Sequence, residues 1–147
     1  MTEKTTSHHQ LVVFSLGEEE YALPIADVHE IIRYTEPRSV ASSVSWVRGV
    51  ISLRGKIVPV YDLASRLGCA ACEDVSEQKI VIVEAAAQLA GVVVDDVEEV
   101  ITVDADQLER LPAAGEAAID SIVKLDDRLI VLLSPAGLFG LAVEIAA

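Results

Sequence analysis

The sequence predicts a mainly β chain built as two small Greek-key or SH3-like barrels, with only short helices. Two observations carry this reading: the apolar residues come in short Val- and Ile-rich runs bounded by turn signals, and the run pattern occurs twice. Leu11 to Ile32 reads LVVFSLGEEEYALPIADVHEII, and Ile80 to Ile101, 69 positions later, reads IVIVEAAAQLAGVVVDDVEEVI. Both hold an apolar run, a turn, a second apolar run and then D-V-x-E-[IV]-I. VISLRGKIVPVYDLASRLG, from Val50, falls on IVKLDDRLIVLLSPAGLFG, from Ile122, at an offset of 72. Two matches in the same order at nearly the same offset indicate a duplicated unit of about 70 residues. No long amphipathic helix occurs, so a βαβ sheet and a helical bundle both fit poorly.

Taken in order, Met1 to Gln10 is polar and is expected to be a disordered tail. Pro24 followed by Ile25, Val28 and Ile31 at helical spacing predicts one helical turn, with Asp27 near its start. L-R-G-K is a hairpin signal, with Gly55 free to take positive φ. Pro59 cannot donate to a ladder, which predicts an edge strand or a bulge. Asp62 to Leu67 reads as a short helix closing at Gly68, and Cys69 to Gln78 as a polar linker. Units of 11–78 and 79–147 follow within one domain, 11–147, with strand exchange at their boundary left open.

The chain has 147 residues, about half of them hydrophobic, so a sizeable core is available. Eleven Lys and Arg against 24 Asp and Glu give a net charge of −13, which weighs against nucleic acid and against an anionic membrane surface. No apolar stretch has the length of a membrane helix, and the start has no apolar signal core, so the expected location is the cytoplasm.

Chemistry finds little footing. Cys69 and Cys72 form a C-x-x-C without a second ligand pair or a thioredoxin-like context, so they read as a reduced, idle pair. Gly49 to Lys56 has five residues between its glycines where a phosphate loop has four, and Ile57 stands where Ser or Thr would bind magnesium. His29 has Glu98 as its repeat mate, which reads as a solvated face, as do the pairs Asp95-Asp96, Glu98-Glu99 and Asp126-Asp127. No catalytic residue, metal site, cofactor or small-molecule substrate is expected.

The repeat also shows what the first unit alone possesses. Trp46, Arg48, Gly49, Arg54 and Gly55 face Ala118, Asp120, Ser121, Asp126 and Asp127. Residues 11–78 hold six basic and ten acidic groups, and residues 79–147 hold four and thirteen. An arginine in the first unit is thus free to make a bidentate contact with a partner, or to pair internally with Glu30 and fix the hairpin; both readings can hold.

YALPIADVHEIIR, WVRGVISLRGKIVPVYDL, IVIVE and VVVDDVEEVI together resemble the CheW-type chemotaxis coupling proteins. The resemblance runs from Leu11 to about Gly140, with one mild departure: Ser52 stands where Asn often precedes L-R-G. It implies two SH3-like five-stranded β-barrel subdomains and a non-catalytic scaffold. Such a scaffold joins the cytoplasmic tip of a methyl-accepting chemoreceptor to the regulatory domain of the histidine kinase CheA, at membrane-associated receptor arrays. By motif, Ile25, Val28, Glu30, Gly49 and Arg54 are implied as the wall of a receptor-binding groove between the barrels, joined by Ile80. A coupling protein of a non-flagellar chemosensory pathway, serving twitching or another output, would carry the same motifs.

Overall fold

The computed structural model describes residues 8–40, 46–67, 77–85, 87–110 and 119–138. The first half supplies strands β1 (His8–Leu16), β2 (Glu19–Pro24), β3 (Val28–Arg33), β4 (Val47–Leu53) and β5 (Lys56–Asp62), then helix α1 (Leu63–Leu67). The second supplies β6 (Lys79–Ala85), β7 (Gln88–Val94), β8 (Asp96–Asp104), β9 (Leu108–Glu109), β10 (Ile119–Leu125) and β11 (Arg128–Leu133). They form two sheets, ordered β8-β1-β2-β11-β10-β9 and β3-β6-β7-β5-β4. The fold is therefore mainly β in two subdomains, with short helices.

Neither sheet is a contiguous half of the chain split at 78/79. The hairpin β1–β2 lies with β8, β10 and β11, and its repeat mate β6–β7 lies with β3, β4 and β5. The exchange is reciprocal to the residue. Leu11 pairs with Pro24 as Ile80 pairs with Val93, and Ile51 pairs with Val58 as Val123 pairs with Ile130. Between hairpin and host, Ile32 faces Ile80 as Ile101 faces Leu11, and the parallel pair Val60–Gly91 matches Leu132–Ala22. Even the bulges coincide: His29 and Glu98 are the unpaired residues on β3 and β8, and Arg48 and Asp120 those on β4 and β10. Bulges at equivalent places in two copies are built features of the unit.

Each sheet bends back on itself through the chain that leaves its first edge strand. Beyond β3, Arg38 forms a two-hydrogen-bond bridge with Val50 of β4, at 2.8 and 2.9 Å. Beyond β8, a 3₁₀ turn at Ala105–Gln107 leads into β9, which pairs with β10. Opposite edges are thus joined, which removes much of the open edge that strands otherwise present.

The exchanged hairpins explain the apolar runs. Leu11, Val13 and Ala22 face inward on one sheet, with Val103, Val123, Ile130 and Leu132. Ile80, Ile82 and Val93 do the same on the other, with Ile51, Val58 and Val60. The alternate residues Phe14, Leu16, Tyr21 and Leu23 meet Val81, Val83, Ala90, Val92 and Val94 in the layer between the barrels. Both faces of each hairpin are buried, so the strands read as unbroken apolar runs where a half-exposed strand would alternate.

Several local expectations shift. Strand β1 takes in His8, His9 and Gln10 of the stretch expected to be a tail: backbone pairing to β8 holds a segment with little apolar surface of its own. The helical turn is only the 3₁₀ segment Ile25–Asp27, with Asp27 at its end; Val28 already opens β3. Strand β5 is interior, between β4 and β7, and the bulge sits on β4. Pro59 is tolerated there because the residues paired to β7 begin only at Val60. Helix α1 forms where expected, with the Asp62 carboxylate accepting from the Ser65 hydroxyl at 3.1 Å. Cys69, Cys72 and most of the linker lie outside the described residues.

Two glycines are fixed by close approach. A Cβ on Gly91 would stand 2.8 Å from Ile80 Cγ2, a β-branched group with little freedom to retreat. Gly49 adopts φ +149°, and a Cβ there would lie 2.1 Å from the Arg38 carbonyl oxygen. We expect Gly91→Ala to destabilise by about 1–3 kcal/mol and Gly49→Ala by about 2–4 kcal/mol in urea unfolding. Gly55→Ala, at φ +83° with open space, should cost only about 1 kcal/mol; equal losses at all three positions would refute this ordering.

Candidate functional site

The tip of the β4–β5 hairpin is a two-residue turn with Arg54 at φ 51° and Gly55 at φ 83°. Positive φ at both positions is what a type I′ hairpin requires, and it is uncommon for an arginine. The turn aims Arg54 across the gap between β4 and β3, the two edges of their sheet. There its guanidinium grips Glu30 with both terminal nitrogens; the Nη2–Oε1 distance is 3.0 Å, and Nη1 donates to Oε2. The Glu30 side chain is 20% exposed and that of Arg54 71%. The internal pairing open from sequence is therefore present, and it leaves most of the guanidinium facing solvent.

Of the six predicted residues, the structure joins two directly and spreads the others. Ile25, 38% exposed, stands at the corner between the sheets and lines a shallow cleft with Pro24, Ala26 and Leu11. Val28 is half-buried against the inter-barrel core. Gly49 is buried, and its role is to let the Arg38 backbone close the sheet. Ile80 is 0% exposed inside the β3–β7 sheet, so its side chain cannot wall a surface groove. Its run is buried throughout, with Val81, Ile82 and Val83 also 0% exposed.

A seam bond of the same kind exists on the other barrel with the cation moved. Glu99, the mate of Glu30, meets Arg128 Nη2 at 2.8 Å, and Arg128 also grips Glu20 of β2 at 2.9 and 3.1 Å. The position of Arg54 is taken there by Asp126, also at positive φ. Two apolar pairs were missed because the repeat was searched for polar differences: Ile57 and Leu129 are 68% and 67% exposed, and Ile31 and Val100 are 40% and 52%. Each pair is equivalent under the repeat, a signal present in the sequence.

Charge follows this geometry. Arg54 holds the Glu30 carboxyl below the ordinary carboxylate range, and Arg128 does the same to Glu20. A side-chain hydrogen bond to Glu20 pushes Glu98 up. No cluster of three or more His, Cys, Asp or Glu suited to a metal ion occurs among the described residues, and none of their helices is long and apolar enough to cross a membrane. Because the Glu30 carboxyl is lowered on folding, its pairing stabilises fully above the ordinary carboxylate pKa and is lost as pH falls through the lowered value. In Arg54→Ala, carboxyl NMR titration should find Glu30 back near its ordinary value; an unchanged titration would remove Arg54 as the cause.

Comparison with known proteins agrees with this geometry. The family model described as CheW-like domain matches residues 10–143. The chemotaxis protein CheW of Bacillus subtilis is 31% identical over 134 residues, 88% of this chain and 86% of that protein. That of Rhizobium meliloti is 30% identical over 136 residues, covering 83% and 88%. Among solved structures, the scaffolding protein TtCheW of Thermoanaerobacter tengcongensis superposes with a TM-score of 0.83 at 38% identity, over 89% of this chain and 92% of that one. With two interlocked β subdomains, an arginine-bearing hairpin tip and this match over nearly its whole length, the chain belongs to the CheW-like domain family.

Proposed function

We propose that this chain is a non-catalytic scaffold coupling the cytoplasmic tips of chemoreceptors to the histidine kinase CheA in bacterial chemotaxis, located in the cytoplasm at receptor arrays. The observation that carries the receptor half of this reading is the exposed Arg54–Glu30 pair with Ile25 and Val28 on the same stretch of chain. A helical hairpin from the receptor would lay its apolar stripe on Ile25 and Val28, and the outer guanidinium edge of Arg54 would take one of its carboxylates. Glu30 then positions Arg54, and Gly49 shapes the strand beneath them.

The kinase half is supported by the apolar residue at each hairpin tip. Ile57 is flanked by Arg54 and Lys56, and Leu129 by Asp126, Asp127 and Arg128, so equivalent ends of the two barrels carry unlike charge. Such ends would engage two different faces of a partner built from the same barrels, with the charges fixing which end meets which face. A second reading, coupling in a non-flagellar chemosensory pathway, is favoured by one relative. Protein PilI of Pseudomonas aeruginosa is 31% identical over 87 residues, 57% of this chain.

Co-sedimentation of the chain with CheA and receptor fragments from the same organism tests the reading; binding to neither would overturn it. Arg54→Ala should keep the fold and the CheA contact while weakening receptor-dependent kinase control, and unchanged control would leave Arg54 with its internal role alone. Ile57→Asp and Leu129→Asp should each weaken CheA binding about tenfold or more with receptor binding retained.

A further inference from the structure

The duplication permits a comparison inside one molecule, and at one place the two barrels differ in what fills their ends. On β4 the bulge residue is Arg48, and the bulge turns its guanidinium toward the end of the barrel. There Nε donates to Asp62 Oδ2 at 3.4 Å and Nη1 to the Tyr34 hydroxyl at 3.1 Å, closing that end with the chain's own cation. On β10 the bulge residue at the equivalent place is Asp120. The mate of Asp62 is Ser134, and the mate of Gly49 is Ser121, whose buried hydroxyl donates to Asp120 Oδ2 at 3.1 Å. Asp120, Ser121 and Ser134, with Leu108 and Leu132, line a cleft of about 470 Å³, and His9 and Arg110 stand along it. Arg110 is exposed and forms no ion pair with Asp120.

We infer that this cleft is a binding site for a guanidinium group, and that its occupant is an arginine side chain presented by a protein partner. The charge at the bulge is inverted between the two ends, and among the described residues no cation pairs with Asp120 as Arg48 pairs with Asp62. The remaining groups suit an incoming guanidinium. The half-buried Asp120 carboxylate can accept from two of its nitrogens, the Ser134 hydroxyl, which accepts from the Gly137 N–H at 3.3 Å, has a second lone pair for a third, and Leu108 and Leu132 can lie along the alkyl stem. A lysine would bring charge without the planar fork, so the site should prefer arginine. The cleft is separate from the Arg54–Glu30 surface, and the inference stands whether or not that surface binds a receptor.

The test is an amide NMR titration of the full chain with Nα-acetyl-arginine methylamide, with the citrulline derivative as an uncharged match in shape. The arginine compound should produce saturable shifts at Leu108, Asp120, Ser121 and Ser134, with a Kd on the order of millimolar. The citrulline compound should produce shifts at least about tenfold weaker in affinity. Asp120→Asn should lose the arginine response by a similar factor, whereas Arg110→Ala should keep it. Equal responses to arginine and citrulline, shifts confined to other surfaces, or an unaltered titration in Asp120→Asn would each overturn the inference. Should Asp120→Asn not fold, the arginine–citrulline comparison on the unaltered chain decides alone.

Discussion

The two hairpins that change places are the constraint on which the molecule rests. Each must bury one face inside the sheet it joins and its other face against the opposite hairpin. Phe14, Leu16, Tyr21 and Leu23 press on Val81, Val83, Ala90, Val92 and Val94, so the layer between the barrels is core in its own right. A barrel of about 70 residues has little interior. Sharing this layer adds a third apolar cluster to the two that the barrels enclose. It also fixes their relative placement, since the chain crosses between the sheets only at the short 3₁₀ turn Ile25–Asp27 and at Asp95.

Much of this was legible in the residues, and what was not has definite physical causes. The duplication could be read from spacing alone, and the hairpin at Arg54–Gly55 from its turn chemistry. The partition of strands between sheets could not, because a hairpin and its repeat mate offer the same pattern to either host. LVVF and IVIV show that both faces are buried, but not which face meets which neighbour. Ile80 was misplaced for that reason: Ile80 and Val81 are both fully buried, one inside a sheet and the other between sheets. The helical spacing of Ile25, Val28 and Ile31 likewise had a different origin: Ile25 and Ile31 are exposed, and Val28 packs against the inter-barrel core.

The candidate site shows how a duplicated scaffold acquires distinct surfaces. Both barrels place a carboxylate at the seam, Glu30 or Glu99, and both answer it with an arginine. In one the arginine occupies the turn itself and faces solvent; in the other it lies past the turn and is shared with Glu20. The stabilising pair is retained while the exposed charge changes from basic to acidic. Arg48 and Asp120 make the same contrast at the bulges, where Arg48 with Asp62 and Tyr34 closes one end and Asp120 with Ser121 and Ser134 lines a cleft at the other.

The strand order has a consequence for how the chain is made. All strands of one sheet, β3 to β7, lie within residues 28–94 and can pair as soon as that stretch has been synthesised. The other sheet joins β2 to β11, so the β1–β2 hairpin waits for a strand made more than 100 residues later before its parallel edge is satisfied. Until then the inner face of β1–β2 depends on whatever covers it, and pairing over so long a loop is slow to form. The subdomain assembled from β1–β2 and β8–β11 is therefore the one on which a nascent or truncated chain would fail, leaving a finished barrel attached to an apolar hairpin without a host.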